Sequence, residues 1–87
     1  MPRERSKVGR SIPRRVGVMY RRVSSSSIAE VGYDASAKTL AIRFHNGREY
    51  WYADFPPATL EALLGAPSIG AFFQAEIRDS YPFQRIR

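Results

Sequence analysis

The chain contains no cysteine and only one histidine, His45. Disulfides, thiolate metal ligands and a cysteine nucleophile are thereby excluded, and one imidazole is too few for an imidazole-based metal site. Long apolar runs are also missing. No stretch approaches the roughly 20 residues of a membrane-spanning helix or the shorter apolar region of a secretory signal. The expectation is a cytoplasmic protein without metal, cofactor or membrane partner. Catalytic pairs are equally scarce. His45 has no serine partner at a readable spacing and reads as a solvated loop residue, Asp34 reads as turn chemistry, Asp54 precedes a helix start, and Glu61, Glu76 and Asp79 read as solvated helix faces. The residues therefore predict that the protein is not an enzyme.

Positive charge is what the chain has in excess, a formal +6, and it is unevenly placed. Residues 1–22 carry eight Lys and Arg side chains against Glu4 alone, whereas residues 23–87 are slightly acidic, at −1. The first 22 residues also hold Pro2, Pro13, Gly9 and Gly17 and little apolar content, too little to offset their ordering entropy. The expected organisation is a disordered basic N-terminal arm, 1–22, followed by a single domain, 23–87. At 44% hydrophobic and 13% aromatic residues, an 87-residue chain can build one small core and no more.

Within 23–87 the hydrophobic period changes from two to about three and a half near Pro56. Ile28 to Tyr33 reads as a strand, followed by a turn at Asp34 to Ala37. Leu40, Ile42 and Phe44 alternate with Thr39, Ala41 and Arg43, and Asn46-Gly47 is a hairpin signal leading into a third strand from Arg48 to Ala53. Pro56 and Pro57 suit the first turn of a helix that carries Leu60, Leu63 and Leu64 and stops at Gly65. Ser68 then caps a second helix with a stripe of Ile69, Phe72, Phe73 and Ile77, ended by Pro82. The predicted fold class is α+β: a three-stranded antiparallel meander followed by two helices packed on one face.

Several of these residues form a recognisable series: Val23-Ser-Ser-Ser-Ser-Ile28, Gly32-Tyr33-Asp34, Tyr50-x-Tyr52, Phe55-Pro56, Ser68-x-Gly70, and Ile77-Arg78 with Tyr81. Over about residues 19 to 83 the chain resembles the KTSC domain, whose central mark is Y-x-Y. The family occurs alone in bacterial and phage proteins and at the C-terminus of some lysyl-tRNA synthetases. The resemblance implies a small accessory or interaction module, with Tyr50, Tyr52, Ser68, Gly70, Arg78 and Tyr81 as family positions, and through the synthetases it implies RNA as an alternative partner to protein. Trp51 at the middle of Y-x-Y and the basic extension before Met19 depart from the family pattern.

The residues leave two hairpin registers open, and a one-residue slip exchanges the faces. A two-residue Asn46-Gly47 loop would place Tyr50 and Tyr52 beside Arg43 and Arg48 on an exposed platform suited to stacked bases. A three-residue His45-Asn46-Gly47 loop, with Gly47 in a left-handed bulge position, would pair Ile42 with Tyr50, Leu40 with Tyr52 and Arg43 with Glu49, turning both tyrosines inward and Trp51 outward. The attractive Arg43–Glu49 pair favours the second. For nucleic acid, the candidate contacts are Arg14, Arg15, Arg21 and Arg22 in the arm and Arg43, Arg48 and Trp51 on the domain. Ser24 to Ser27 reads first as a polar lead-in to a strand, and Ser68-Ile69-Gly70 first as an ordinary N-cap with a glycine at a close crossing, with anion binding the sharper alternative at each.

Overall fold

The computed structural model describes residues 17–87. They form β1 (Met19–Arg22), β2 (Ile28–Asp34), β3 (Thr39–Phe44), β4 (Glu49–Tyr52), α1 (Pro57–Leu64), α2 (Ile69–Phe72), a π-helical segment (Phe73–Ile77) and β5 (Phe83–Arg85). The five strands make one antiparallel sheet in the order β1-β2-β3-β4-β5. The α+β class and the packing of the helices on one face are as expected, but the sheet has five strands and not three. Met19–Arg22, read from the sequence as the end of a disordered arm, is an edge strand paired with β2, Met19 opposite Tyr33 and Arg22 opposite Glu30. Its arginines hide it, because edge strands commonly carry charge and lack a clean apolar stripe. β5 is three residues long, too short for its period to register, yet it pairs with β4 from Tyr50–Arg85 to Tyr52–Phe83. Arg14 and Arg15 lie outside the described residues.

The β3–β4 hairpin takes the three-residue loop. Phe44 N–H donates to Arg48 O at 2.8 Å, Gly47 N–H donates to Phe44 O at 3.0 Å, and Gly47 sits at φ +92°, a conformation that costs glycine nothing. Leu40 pairs with Tyr52, Ala41 with Trp51, Ile42 with Tyr50 and Arg43 with Glu49. At the other end of β3 the Asp34 carboxylate accepts from Ser36 N–H at 3.0 Å and Ala37 N–H at 3.2 Å, closing the β2–β3 turn.

Pro56 and Pro57 start α1 as expected, since neither needs to donate an N–H there. Ser68 caps α2 by accepting from Ala71 N–H at 3.2 Å. The second helix departs from expectation after one turn: Arg78 N–H donates to Phe73 O, five residues back, at 2.9 Å. A wider turn replaces the α-helical one there, while Phe73 and Ile77 still face the core.

That core lies between the sheet and the helices. Leu40, Ile42, Leu63, Phe73 and Ile77 are buried, and Phe44, Leu60 and Phe72 pack against them, so the predicted stripes form one cluster. Phe55 is the largest fully buried side chain, and its carbonyl accepts a hydrogen bond from the Tyr33 hydroxyl. Tyr52 is buried at 3% exposure, but Tyr50 is only half-buried, as is Trp51. Both tyrosines face the helices as the three-residue loop requires, but only Tyr52 is more deeply buried than Trp51. Phe73→Ala should lose about 3–5 kcal/mol of unfolding free energy, the range for truncating a buried phenylalanine, and half-buried Phe72→Ala should lose clearly less. Urea denaturation of the two variants checks the order.

Candidate functional site

Strand alternation projects Tyr50 and Tyr52 from β4 toward the helices, beside Phe44 of β3 and Phe83 of β5. Phe73 closes the aromatic floor from the helical side. Ring centroids lie 5.8 Å apart for Tyr52–Phe73, 5.7 Å for Tyr52–Phe83 and 5.6 Å for Phe44–Phe73, mostly edge-on or tilted. Above this floor is an open groove of about 400 Å³. Its rim is polar: Asn46 and Arg48 from the hairpin end on one side, and Gln74, Arg78 and Asp79 on the other. Gln74 and Arg78 are four residues apart, and an Arg78 Nη1 hydrogen bond to Gln74 Oε1, 2.9 Å long, holds the guanidinium over the groove. Burial pushes the Tyr52 hydroxyl well above the ordinary tyrosine range, so it remains a neutral donor at physiological pH.

The serine run meets the α2 start, two segments far apart in sequence. A shallow depression of about 360 Å³ is lined by Ser24 to Ser27 on one side and Ser68, Gly70 and Gln74 on the other. A Cβ at Gly70 would stand 3.0 Å from Ser27 Oγ, tight enough to force an adjustment. Ser25 Oγ accepts from Ile28 N–H at 3.2 Å, and His45 ties the hairpin to this loop through its N–H to Ser27 O at 2.9 Å and its Nε2 to Ser25 O at 3.0 Å. His45 is thus exposed but anchored, not simply solvated. These contacts make the serine run a turn before β2 and Ser68-Ile69-Gly70 a helix cap at a close crossing.

On the opposite face of the sheet, Arg43 and Trp51 converge on Glu49. Arg43 Nε donates to Glu49 Oε1 at 3.0 Å, Trp51 Nε1 donates to Oε2 at 2.7 Å, and the Tyr20 hydroxyl also donates to Oε2. Arg43 Nη1 bridges to Glu30 Oε1 at 2.9 Å, and its Cζ lies 3.6 Å from the centre of the Tyr20 ring. Gly32 makes room for that ring, since a Cβ there would stand 2.9 Å from Tyr20 Cδ1. Glu49 is 2% exposed. Burial alone would raise its pKa, but the hydrogen bonds from Tyr20, Trp51 and Arg43 outweigh that effect and hold it below the usual carboxylate range.

The KTSC domain family model matches residues 24–81. The chain belongs to the KTSC domain family. The KTSC domain seen here is 37% identical over 59 residues to a protein of Tsukamurella paurometabola, covering 68% of this chain and 88% of that one. It is 35% identical over 65 residues to an uncharacterised protein of Stutzerimonas stutzeri, covering 74% and 92%. It is also similar to part of a lysine–tRNA ligase of Nostoc punctiforme, 34% identical over 61 residues that make up 70% of this chain but 11% of the ligase. Among solved structures, a KTSC domain protein of Yersinia pestis superposes with a TM-score of 0.76 at 30% identity, covering 82% of this chain and all of that one.

The residues that the resemblance implies as family positions divide between these places. Tyr50, Tyr52 and Arg78 share the groove, and Ser68 and Gly70 meet the serine run. Tyr81 instead packs edge-on against Phe55 at 4.8 Å and is not paired with Arg78. The candidate nucleic-acid residues among those described are not brought together: Arg43 and Trp51 lie on the outward face, Arg48 stands at the hairpin end beside the groove, and Arg21 and Arg22 point to opposite sides of β1. Sequence reasoning missed Gln74, Asn46 and Phe83 at the groove and Tyr20 and Glu49 behind it. The one available signal is Arg43 opposite Glu49, which indicates the register but not the hub. Among the described residues no group of His, Asp and Glu is placed to hold a metal ion, and no helix is long and apolar enough to cross a membrane.

Glu49 generates a pH prediction. Because its pKa is lower in the folded chain, its contribution is present above the ordinary glutamate range, near 4.3, and is lost as pH falls through the depressed folded value. Glu49→Gln should cost about 1.5–3 kcal/mol at pH 7, the range for hydrogen bonds to a charged group. That deficit should shrink as pH is lowered toward 3. Urea midpoints at both pH values, followed through the emission of Trp51, test it.

Proposed function

We propose that this KTSC domain is a non-catalytic recognition module of the cytoplasm that binds a protein partner through the Tyr52 groove. The observation that carries this reading is the convergence of three family positions, Tyr50 and Tyr52 from β4 and Arg78 from the end of the π-helical segment, around one apolar-floored, polar-rimmed groove. Residues this far apart in sequence need not meet for the core alone, because Arg78 is exposed. The charge of the described residues supports a protein partner over a polyanion: residues 17–87 carry eight basic and seven acidic side chains, close to neutral. A photo-reactive amino acid at exposed Gln74 should yield cross-linked protein adducts in cells that resist ribonuclease and disappear with Arg78→Gln, while the same label at Ala35, in the distant β2–β3 turn, should not. Equal adducts from both positions would overturn the groove as the binding surface.

Nucleic-acid association is the second reading. It rests on the arginine-rich sequence of residues 1–22 and on the likeness to a segment of a lysine–tRNA ligase. In this reading the basic segment supplies non-specific affinity, with Arg21, Arg22 and Arg48 adding to it. The log–log salt slope for single-stranded RNA should then be less steep by about 1.4 in a chain carrying Arg14→Gln and Arg15→Gln, at roughly 0.7 per phosphate contact. Filter binding across a salt series measures it, and an unchanged slope would remove these two arginines from the interface.

A further inference from the structure

Among the described residues, Tyr52 is a buried side chain whose polar group finds no protein partner. The residue is 3% exposed, its ring is held between Phe73 and Phe83, and among the described residues its hydroxyl makes no hydrogen bond. Tyr33, the comparable phenol on β2, donates to the Phe55 carbonyl, and Tyr20 donates to Glu49. Buried phenols normally find an acceptor, and leaving one without costs more than the bond itself contributes. Phenylalanine would fill the same space without that cost. Tyr52 lines the groove, and the same lining holds the guanidinium groups of Arg48 and Arg78 and the carboxylate of Asp79.

We infer that the groove takes a peptide segment bearing a carboxylate, which accepts from the Tyr52 hydroxyl and the Arg78 guanidinium while a neighbouring apolar side chain lies on the aromatic floor. This deepens the recognition-module reading above and rests on it. An anion suits the site because the unserved group is a donor and the rim beside it is cationic. A side-chain carboxylate suits it better than a nucleic-acid backbone because a groove of about 400 Å³ holds one or two side chains, and residues 17–87, with eight basic and seven acidic side chains, are nearly neutral. The Arg78–Gln74 hydrogen bond leaves the remaining guanidinium donors of Arg78 for the ligand.

The test is an NMR titration of the full ¹⁵N-labelled chain with two probes, acetyl-Phe-Glu-amide and its neutral isostere acetyl-Phe-Gln-amide. Saturable shifts are expected at Tyr52, Gln74 and Arg78, with the glutamate peptide bound about fivefold more tightly or better. Tyr52→Phe and Arg78→Gln should each weaken it by a similar factor. Thermal unfolding supplies an independent arm: without ligand, Tyr52→Phe should melt at or above the unaltered chain, since it removes an unsatisfied group. Equal binding of the two peptides would overturn the carboxylate inference and leave the recognition module standing. Absence of saturable shifts with either peptide, or a Tyr52→Phe chain that melts several degrees lower, would overturn it as well. Tighter binding of oligouridylate at the same amides, lost with Arg78→Gln, would overturn it in favour of an RNA site.

Discussion

The loop of His45, Asn46 and Gly47 decides which side chains of the β3–β4 hairpin meet the helices. Its third residue must hold a positive φ, and Gly47 does so at +92° without a side chain to strain. With that residue counted in the loop, Tyr50 and Tyr52 fall on the same face as Leu40, Ile42 and Phe44, and Glu49 and Trp51 fall on the other. Remove one residue from the loop and the alternation inverts: Glu49 would point at the core and the tyrosines at solvent. Both the groove and the outward network are consequences of this register. A change at Gly47 would therefore be felt in two places that do not touch.

The two faces of the sheet are built on different physics. Toward the helices, aliphatic side chains and edge-to-face rings bury area, and the groove opens where that packing runs out at the end of the hairpin. Away from the helices no second layer of helix or strand covers the sheet among the described residues, and Tyr20, Arg43 and Trp51 close over Glu49 instead. A buried carboxylate is tolerated there because its oxygens are satisfied by three side-chain donors, with Arg87 Nε at 3.9 Å adding a further positive charge. Tyr20 belongs to the edge strand, so this network also fastens β1 across β2 and β3 to β4. Gly32 lets it do so by leaving the space beneath the ring.

Much of this was legible in advance, and the failures have specific causes. The β2 to β4 meander, the helix starts at Pro57 and Ser68 and the apolar stripes were all visible because each combines a period with a turn or cap residue. The register was readable only through the attraction of Arg43 for Glu49, and that same pair concealed the hub, since nothing in the sequence near Glu49 announces Tyr20 almost thirty positions earlier. β1 was lost to its arginines and β5 to its brevity. The π-turn between Phe73 and Arg78 leaves no mark, because the spacing of Phe73 and Ile77 is also that of an α-helix. Gln74 and Phe83 could not be assigned to the groove without knowing that β5 returns to pair with β4.

Chain order and sheet order coincide in this fold, so every strand pairs with its nearest neighbours in sequence. The pairing of β4 with β5 alone has to wait, because α1, α2 and the π-helical segment lie between them. Phe83 is the first residue of β5 and also one wall of the groove. During synthesis the hairpins and their register can therefore be complete while the groove still lacks a side. The groove gains its Phe83 wall only when β5 has paired with β4, so the pairing that closes the sheet also completes the groove.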